Sequence, residues 1–143
     1  MYNKFNECIL DFSLERDPGD YWYDCAILES TDILKKFDKK DWKVLLEQLG
    51  SKPLFWQKRL VECLGDLHSP YEIEVILYLI DTDDEDLFIT CIDSLRLLDL
   101  SGLSGGRKEE ILSKVTCLLD NKPLPVKKVI EELIRKINKP NSY

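Results

Sequence analysis

The chain has few of the residues and motifs that catalytic and metal centres need. Its 143 residues include a single histidine, His68. The patterns HExxH, CxxC, GxSxG and Walker A are all absent. His68 lies in a tight turn before Ser69 and Pro70, and no nucleophile motif accompanies it. The sequence therefore predicts no catalytic residue and no cofactor, and it indicates that the protein is not an enzyme.

Long apolar runs and paired cysteines are also missing. No run approaches the ~18 apolar residues of a membrane span, and the amino terminus has no apolar stretch followed by a small-residue cleavage site. The cysteines are odd in number and include no CxxC spacing, so we interpret them as small, reduced core residues. They are Cys8, Cys25, Cys63, Cys91 and Cys117. These absences predict a cytoplasmic protein without membrane contact.

Basic residues are almost missing from the middle of the chain. The net charge is −7, and residues 62–99 hold 11 acidic side chains with Arg96 as the only base. Phosphate binding needs clustered lysine and arginine, so the charge argues against nucleic acid as a ligand. Acids that cap helices and complement their dipoles explain two or three of these carboxylates. We expect the remainder to form a partner-binding surface; the alternative is that they serve solubility alone.

The acidic run Asp81 to Asp86 is similar to the opening of a calcium-binding loop. The sixth position is Asp86 instead of the required glycine, and the twelfth is Ile92 instead of glutamate. The sequence therefore predicts no metal site here.

Apolar spacing predicts an all-α domain of about eight helices with no confident strand. Segment 21–36 is assigned to one helix, although its start, Tyr21-Trp22-Tyr23, has strand-like composition. Asp38 and Ser69 are expected to cap helices, Ser69 in a capping box with Glu72. The predicted parts of the single domain, 1–143, are N-terminal helices (1–50), two helix pairs (51–120), a C-terminal helix (121–138) and a tail (139–143).

Two helix-turn-helix units occupy the middle of the chain. The first joins helices 56–67 and 71–81, and the second joins helices 87–99 and 108–120. Neither pair can bury its apolar stripe alone, so the pairs are expected to stack into a short α-solenoid-like array.

One stripe of the 71–81 helix has the character of a binding surface. Ile73, Ile76, Leu77 and Ile80 mark its buried side, and two tyrosines and two acids share another stripe. Tyrosine is favoured at protein interfaces because it supplies rigid contact area with a polar tip. The alternative is that the tyrosines only cover neighbouring helices. The predicted partner-binding residues are Asp66, Tyr71, Glu74, Tyr78, Asp81, Asp83, Asp84, Glu85 and Asp86.

The run Trp56-x-x-Arg59-Leu60-x-Glu62-Cys63-Leu64-Gly65-Asp66-Leu67 resembles HEAT-type repeats, with a second helix from Glu72 to Leu79. The segment Leu87 to Asp99 looks like the next copy. The resemblance covers about half of the chain and implies architecture. The chain departs from it in a glycine-rich insertion at 101–106 and in lacking a proline within a first helix.

In size, charge and style of repeat, the chain also resembles bacterial immunity proteins of contact-dependent inhibition and polymorphic toxin systems. That resemblance implies a cytoplasmic inhibitor that binds the C-terminal domain of a cognate toxin, a basic nuclease, and covers its active site or substrate surface. A HEAT-like adaptor or scaffold for another protein is the alternative. The sequence does not identify the toxin, and it favours a monomer without fixing the oligomeric state.

Overall fold

The computed structural model describes residues 1–98, 100, 105–120 and 122–138. Over these ranges the chain is 75% helical with no strand, which confirms the predicted all-α class. The α-helices described are α1 (Tyr2–Leu10), α2 (Ile27–Lys35), α3 (Lys39–Gln48), α4 (Leu54–Glu62), α5 (Tyr71–Leu79), α6 (Glu85–Leu97), α7 (Gly105–Leu119) and α8 (Leu124–Asn138). A π-helical turn, Trp22–Ala26, leads into α2, and a 3-10 turn, Leu49–Ser51, follows α3. The predicted tail and residues 101–104 of the glycine-rich insertion lie outside the described residues.

Helices α1, α4, α6 and α8 pack side by side, and α5 and α7 lie against them. One apolar core extends from Phe5 in α1 to Ile137 in α8. The seam between α4 and α6 carries a buried hydrogen bond in which Ser94 Oγ donates to the Val61 carbonyl at 3.0 Å. Helices α2 and α3 close the amino-terminal side of α1.

The observed pairing of helices is shifted by one helix relative to the predicted pairing. Helix α5 packs more extensively against α6 than against α4, and α7 packs closely against α8. The connections that precede α6 and α8 are shorter than the α4–α5 connector (residues 63–70). Short connections favour antiparallel neighbours, which accounts for the shift. The short connection before α6, residues 80–84, is named the α5–α6 connector below.

Several predicted helix ends are wrong. Helix α4 ends at Glu62 rather than near residue 67, and Gly65, with a φ of 125°, has a conformation that no α-helix can include. Helix α7 already begins at Gly105 rather than at residue 108. The single helix predicted over 21–36 contains the π-helical turn, whose Trp22 and Ala26 are both buried.

The cysteines divide between core and surface. Cys63 and Cys91 are buried, Cys8 is half-buried, and Cys25 and Cys117 are exposed; all five are free thiols. The prediction of a core position is therefore wrong for the two exposed residues. Burial raises the pKa of the Cys63 thiol and raises that of Cys91 to about 12. No helix among the described residues has the length and apolar character to cross a membrane.

Candidate functional site

Most of α5 is buried, and only Glu74 and Tyr78 are exposed along it. The Tyr78 side chain is 58% exposed, yet its hydroxyl rests against the backbone of Gly50. A Cβ atom at residue 50 would overlap that hydroxyl oxygen. The Tyr78 hydroxyl therefore lies close to Gly50 while much of the residue remains exposed.

Tyr71, the other tyrosine of the predicted stripe, is placed differently. It is half-buried and stacks on Trp42 of α3, with ring centroids 5.6 Å apart and planes 14° apart. Much of its surface covers a neighbouring helix, as the alternative interpretation states. Tyr71 and Tyr78 therefore do not form one exposed aromatic stripe.

The two acids of the stripe are paired with bases on α7. Glu74 contacts Arg107, which also binds Glu110 at 3.0 Å. Asp81 accepts a hydrogen bond from Lys114 Nζ at 2.8 Å. Each base lies 33 residues after its carboxylate in the chain. A count of charges over residues 62–99 therefore leaves both carboxylates without a base, although the fold pairs each of them with one.

Asp84 and Asp86 hold the start of α6 in place. Asp84 caps the helix by accepting from the Leu87 N–H at 2.9 Å, and Arg16 pairs with both acids. Desolvation opposes ionisation of Asp84, but the Leu87 N–H and Arg16 outweigh it and lower the Asp84 pKa. Lys58 lies 4.0 Å from Asp86. The Asp84 N–H in turn donates to the Thr82 hydroxyl at 3.1 Å.

The remaining acids fall in two places. Asp83 and Glu85 are exposed and make no ion pair within the part of the chain described. Asp66 is 89% exposed and lies 3.2 Å from His68, at the opposite end of α5. Nine residues of helix span about 14 Å, so α5 separates Asp66 from the acids that follow its carboxyl-terminal end. We define the α5 ridge as Glu74, Tyr78, Asp81, Asp83 and Glu85.

The burial of two charged residues, Arg59 and Glu72, was not predicted from the sequence. The Arg59 side chain, 0% exposed, donates to the carbonyls of Phe12 and Arg16 and pairs with Glu62, which accepts from the Tyr23 hydroxyl at 2.9 Å. Arg59 lies three residues after Trp56 on the apolar stripe, and this position is the sequence signal that indicates its burial. Desolvation and then the Glu62 hydrogen bond raise the pKa of Tyr23.

Glu72 is the second buried charge. Its carboxylate accepts from the Gly65 N–H at 2.6 Å and from the Ser69 N–H at 3.2 Å. The Ser69 contact is half of the predicted capping box; the Ser69 hydroxyl accepts from Tyr71 instead of Glu72. The predicted Asp38 cap is confirmed, in a full capping box with Asp41.

No cluster of three metal-binding side chains occurs among the described residues. No protein-family model, no curated protein and no solved structure matches the chain. The α5 ridge is a set of exposed side chains on and just after a helix.

Proposed function

We propose that this protein binds another protein through the α5 ridge, and that the partner is the C-terminal domain of a bacterial toxin, neutralised in the cytoplasm. The observation that carries the proposal is the exposed Tyr78 ring, whose hydroxyl lies close to Gly50. Tyrosine has only two side-chain torsions, so it loses little conformational entropy on binding, which makes it a favourable interface anchor.

Acids surround this anchor. Glu74 lies four residues before Tyr78 on the same side of α5, and Asp81 follows Tyr78 by three residues in the α5–α6 connector. Asp83 and Glu85 extend the negative charge into the start of α6 without an ion pair among the described residues. A basic nuclease is the partner that such a surface would attract, because opposite charge accelerates encounter and carboxylates can occupy a phosphate-binding cleft.

The ion pairs determine which residues can be substituted to test binding without disturbing the fold. Asp84 and Asp86 stabilise α6 and the loop around Arg16, so reversing them would alter folding as well as charge. Asp83 and Glu85 test the surface charge alone. Tyr78 tests the anchor, and its truncation is expected to accelerate dissociation, by about 1–3 kcal/mol of binding free energy.

The test is co-expression with the C-terminal domain encoded by the adjacent upstream gene. We expect that domain to be toxic alone and harmless beside the wild-type protein, with Tyr78→Ala giving weaker protection. A harmless domain, or toxicity that persists when this protein is abundant, would exclude the immunity function and favour the adaptor alternative. Protection that is unchanged in Tyr78→Ala and in Asp83→Lys/Glu85→Lys would place the contact elsewhere.

A further inference from the structure

Five lysines cluster where α2 ends and α3 begins. They are Lys35, Lys36, Lys39, Lys40 and Lys43. All five are exposed, and none forms a hydrogen bond or ion pair with any described residue. In a chain with 27 acids and 20 bases this is unexpected, since several other bases, such as Arg16, Arg59 and Lys114, are held by acids.

The acids nearest to the cluster in sequence have other partners. Asp38 accepts from the Asp41 N–H at 2.9 Å, and Asp41 accepts from the N–H groups of Asp38 and Tyr2. Lys39 and Lys40 also occupy the first turn of α3, where the helix dipole disfavours positive charge. The fold thus maintains a set of cations that its own carboxylates leave unpaired.

Two of these lysines border an apolar groove between α3 and α5. The groove has a volume of about 480 Å³ and is lined by Lys39, Lys43, Leu46, Glu47 and Tyr71. Leu46 and Tyr71 are half-buried, and the Tyr71 ring stacks on the Trp42 ring. A shallow apolar floor beside two unpaired ammonium groups is complementary to an apolar side chain flanked by carboxylates.

We propose that this groove binds an acidic peptide segment of a partner protein, with an apolar side chain on Tyr71 and Leu46 and carboxylates on Lys39 and Lys43. This site goes beyond the toxin-binding function, because it uses different residues and the opposite charge. It stands whether or not the α5 ridge binds a toxin.

Other polyanions fit less well. Glu47 lines the groove, so a phosphate backbone, which is negative at every unit, would meet a carboxylate there, whereas a peptide can place its apolar side chain beside Glu47 and its carboxylates on Lys39 and Lys43. A membrane surface would need apolar side chains beside the lysines, and Val44, 38% exposed, is the one large exposed apolar side chain that α3 offers.

The experiment uses the full chain and a fluorescein-labelled synthetic peptide, Asp-Asp-Phe-Asp-Asp-Phe-Asp-Asp, followed by fluorescence anisotropy. Three variants are compared with wild type: Lys39→Glu/Lys43→Glu, the α8 variant Lys127→Glu/Lys128→Glu with the same change in net charge, and Leu46→Ser. A peptide with alanine in place of phenylalanine tests the apolar contact. Phosphatidylserine vesicles and a single-stranded oligothymidylate are measured in parallel, and circular dichroism confirms that the variants are folded.

We expect the wild type to bind the phenylalanine peptide, with about tenfold weaker binding in Lys39→Glu/Lys43→Glu and little change in the α8 variant. The alanine peptide and Leu46→Ser should both bind more weakly. Absence of binding, equal losses in the two charge variants, or equal affinity for the alanine peptide would overturn the proposal. Tighter lysine-dependent binding to the vesicles or the oligonucleotide, or lysine-dependent self-association by sedimentation, would assign the groove to a different occupant.

Discussion

The two connectors on either side of α5 both lead into a helix and are both held by a carboxylate, but the groups that hold them lie at different distances along the chain. The α4–α5 connector is held by the buried carboxylate of Glu72 in α5, which accepts from backbone N–H groups three and seven residues before it. In the α5–α6 connector, Asp84 caps the following helix and is held by Arg16, which lies 68 residues earlier.

This difference shows that carboxylates near the start of a helix can stabilise the structure either through local backbone contacts or through contacts with a distant segment. The first connector is a locally closed loop, whose shape depends on Glu72 and on the left-handed backbone of Gly65 and His68. The second depends on a contact between distant parts of the chain. The first should therefore be sensitive to single substitutions, and the second should respond to substitutions at either of two remote sites.

The largest expected effect is at Glu72. Glu72→Ala leaves the N–H groups of Gly65 and Ser69 without their acceptor, at a cost on the order of 2–4 kcal/mol in the free energy of unfolding. Glu72→Gln keeps one acceptor oxygen and should lose about half of that. Urea unfolding followed by circular dichroism measures both, and an Ala variant as stable as wild type would show that the connector does not need its carboxylate.

Gly65→Ala should have the next largest effect. Its φ of 125° is strained for any residue with a Cβ, and the new atom would lie 3.1 Å from Leu97 Cδ1. We expect a loss of about 1–3 kcal/mol, measured by the same unfolding curves. Gly19→Ala serves as the comparison, since its φ is also positive but open space surrounds it, so it reports the backbone contribution without the contact. Equal losses in the two variants would exclude a contribution from Leu97.

Asp84→Ala should cost about 1 kcal/mol through the lost cap. The Asp84 pKa is lowered in the folded protein, so its contribution is present above the unfolded-state pKa, about 3.9, and is lost as the pH falls through the folded-state value. The variant and the wild type should therefore converge in stability in acid. A double-mutant cycle with Arg16→Ala tests the remote contact, and strict additivity would contradict it.

The smallest effect is expected for Asp83→Lys/Glu85→Lys. Both side chains are exposed and make no ion pair with described residues, so the free energy of unfolding should change by no more than about 0.5 kcal/mol per site. Thermal unfolding measures this change. A large loss of stability would show that these acids also support the connector, and the variant would then not separate binding from folding.

Local signals account for what was predictable in the fold. The Asp38 capping box and the buried residues Ile73, Ile76 and Ile80 of α5 follow from spacing and capping over a few residues. The early end of α4 depends on Gly65, which can stand within or after a helix. The pairing of α5 with α6 depends on connector lengths that the predicted helix ends had obscured. The π-helical turn at Trp22 has no pattern of its own that separates it from an α-helix.

The candidate site is harder to predict than the fold, because the sequence shows the order of the charges along the chain but not which charges meet in the folded protein. Four of the predicted carboxylates, Glu74, Asp81, Asp84 and Asp86, are paired with bases from segments before residue 62 or after residue 99. Ion pairs between distant segments depend on the tertiary fold, so sequence alone could not separate them from Asp83 and Glu85. Helical spacing also could not decide between the two interpretations of Tyr71, because it does not reveal that Trp42 of α3 stacks on its ring.

The buried Arg59 also bears on the order in which the protein folds during its synthesis. The carbonyl groups that Arg59 binds belong to the segment that follows α1, and the Phe12 contact spans 47 residues. The α1 residues Phe5 and Asn6 likewise meet Trp56. The ribosome therefore has to release α4 before α1 can complete its packing. Nascent chains that end before residue 54 should expose α1 to protease, whereas chains extended beyond α4 should begin to protect it.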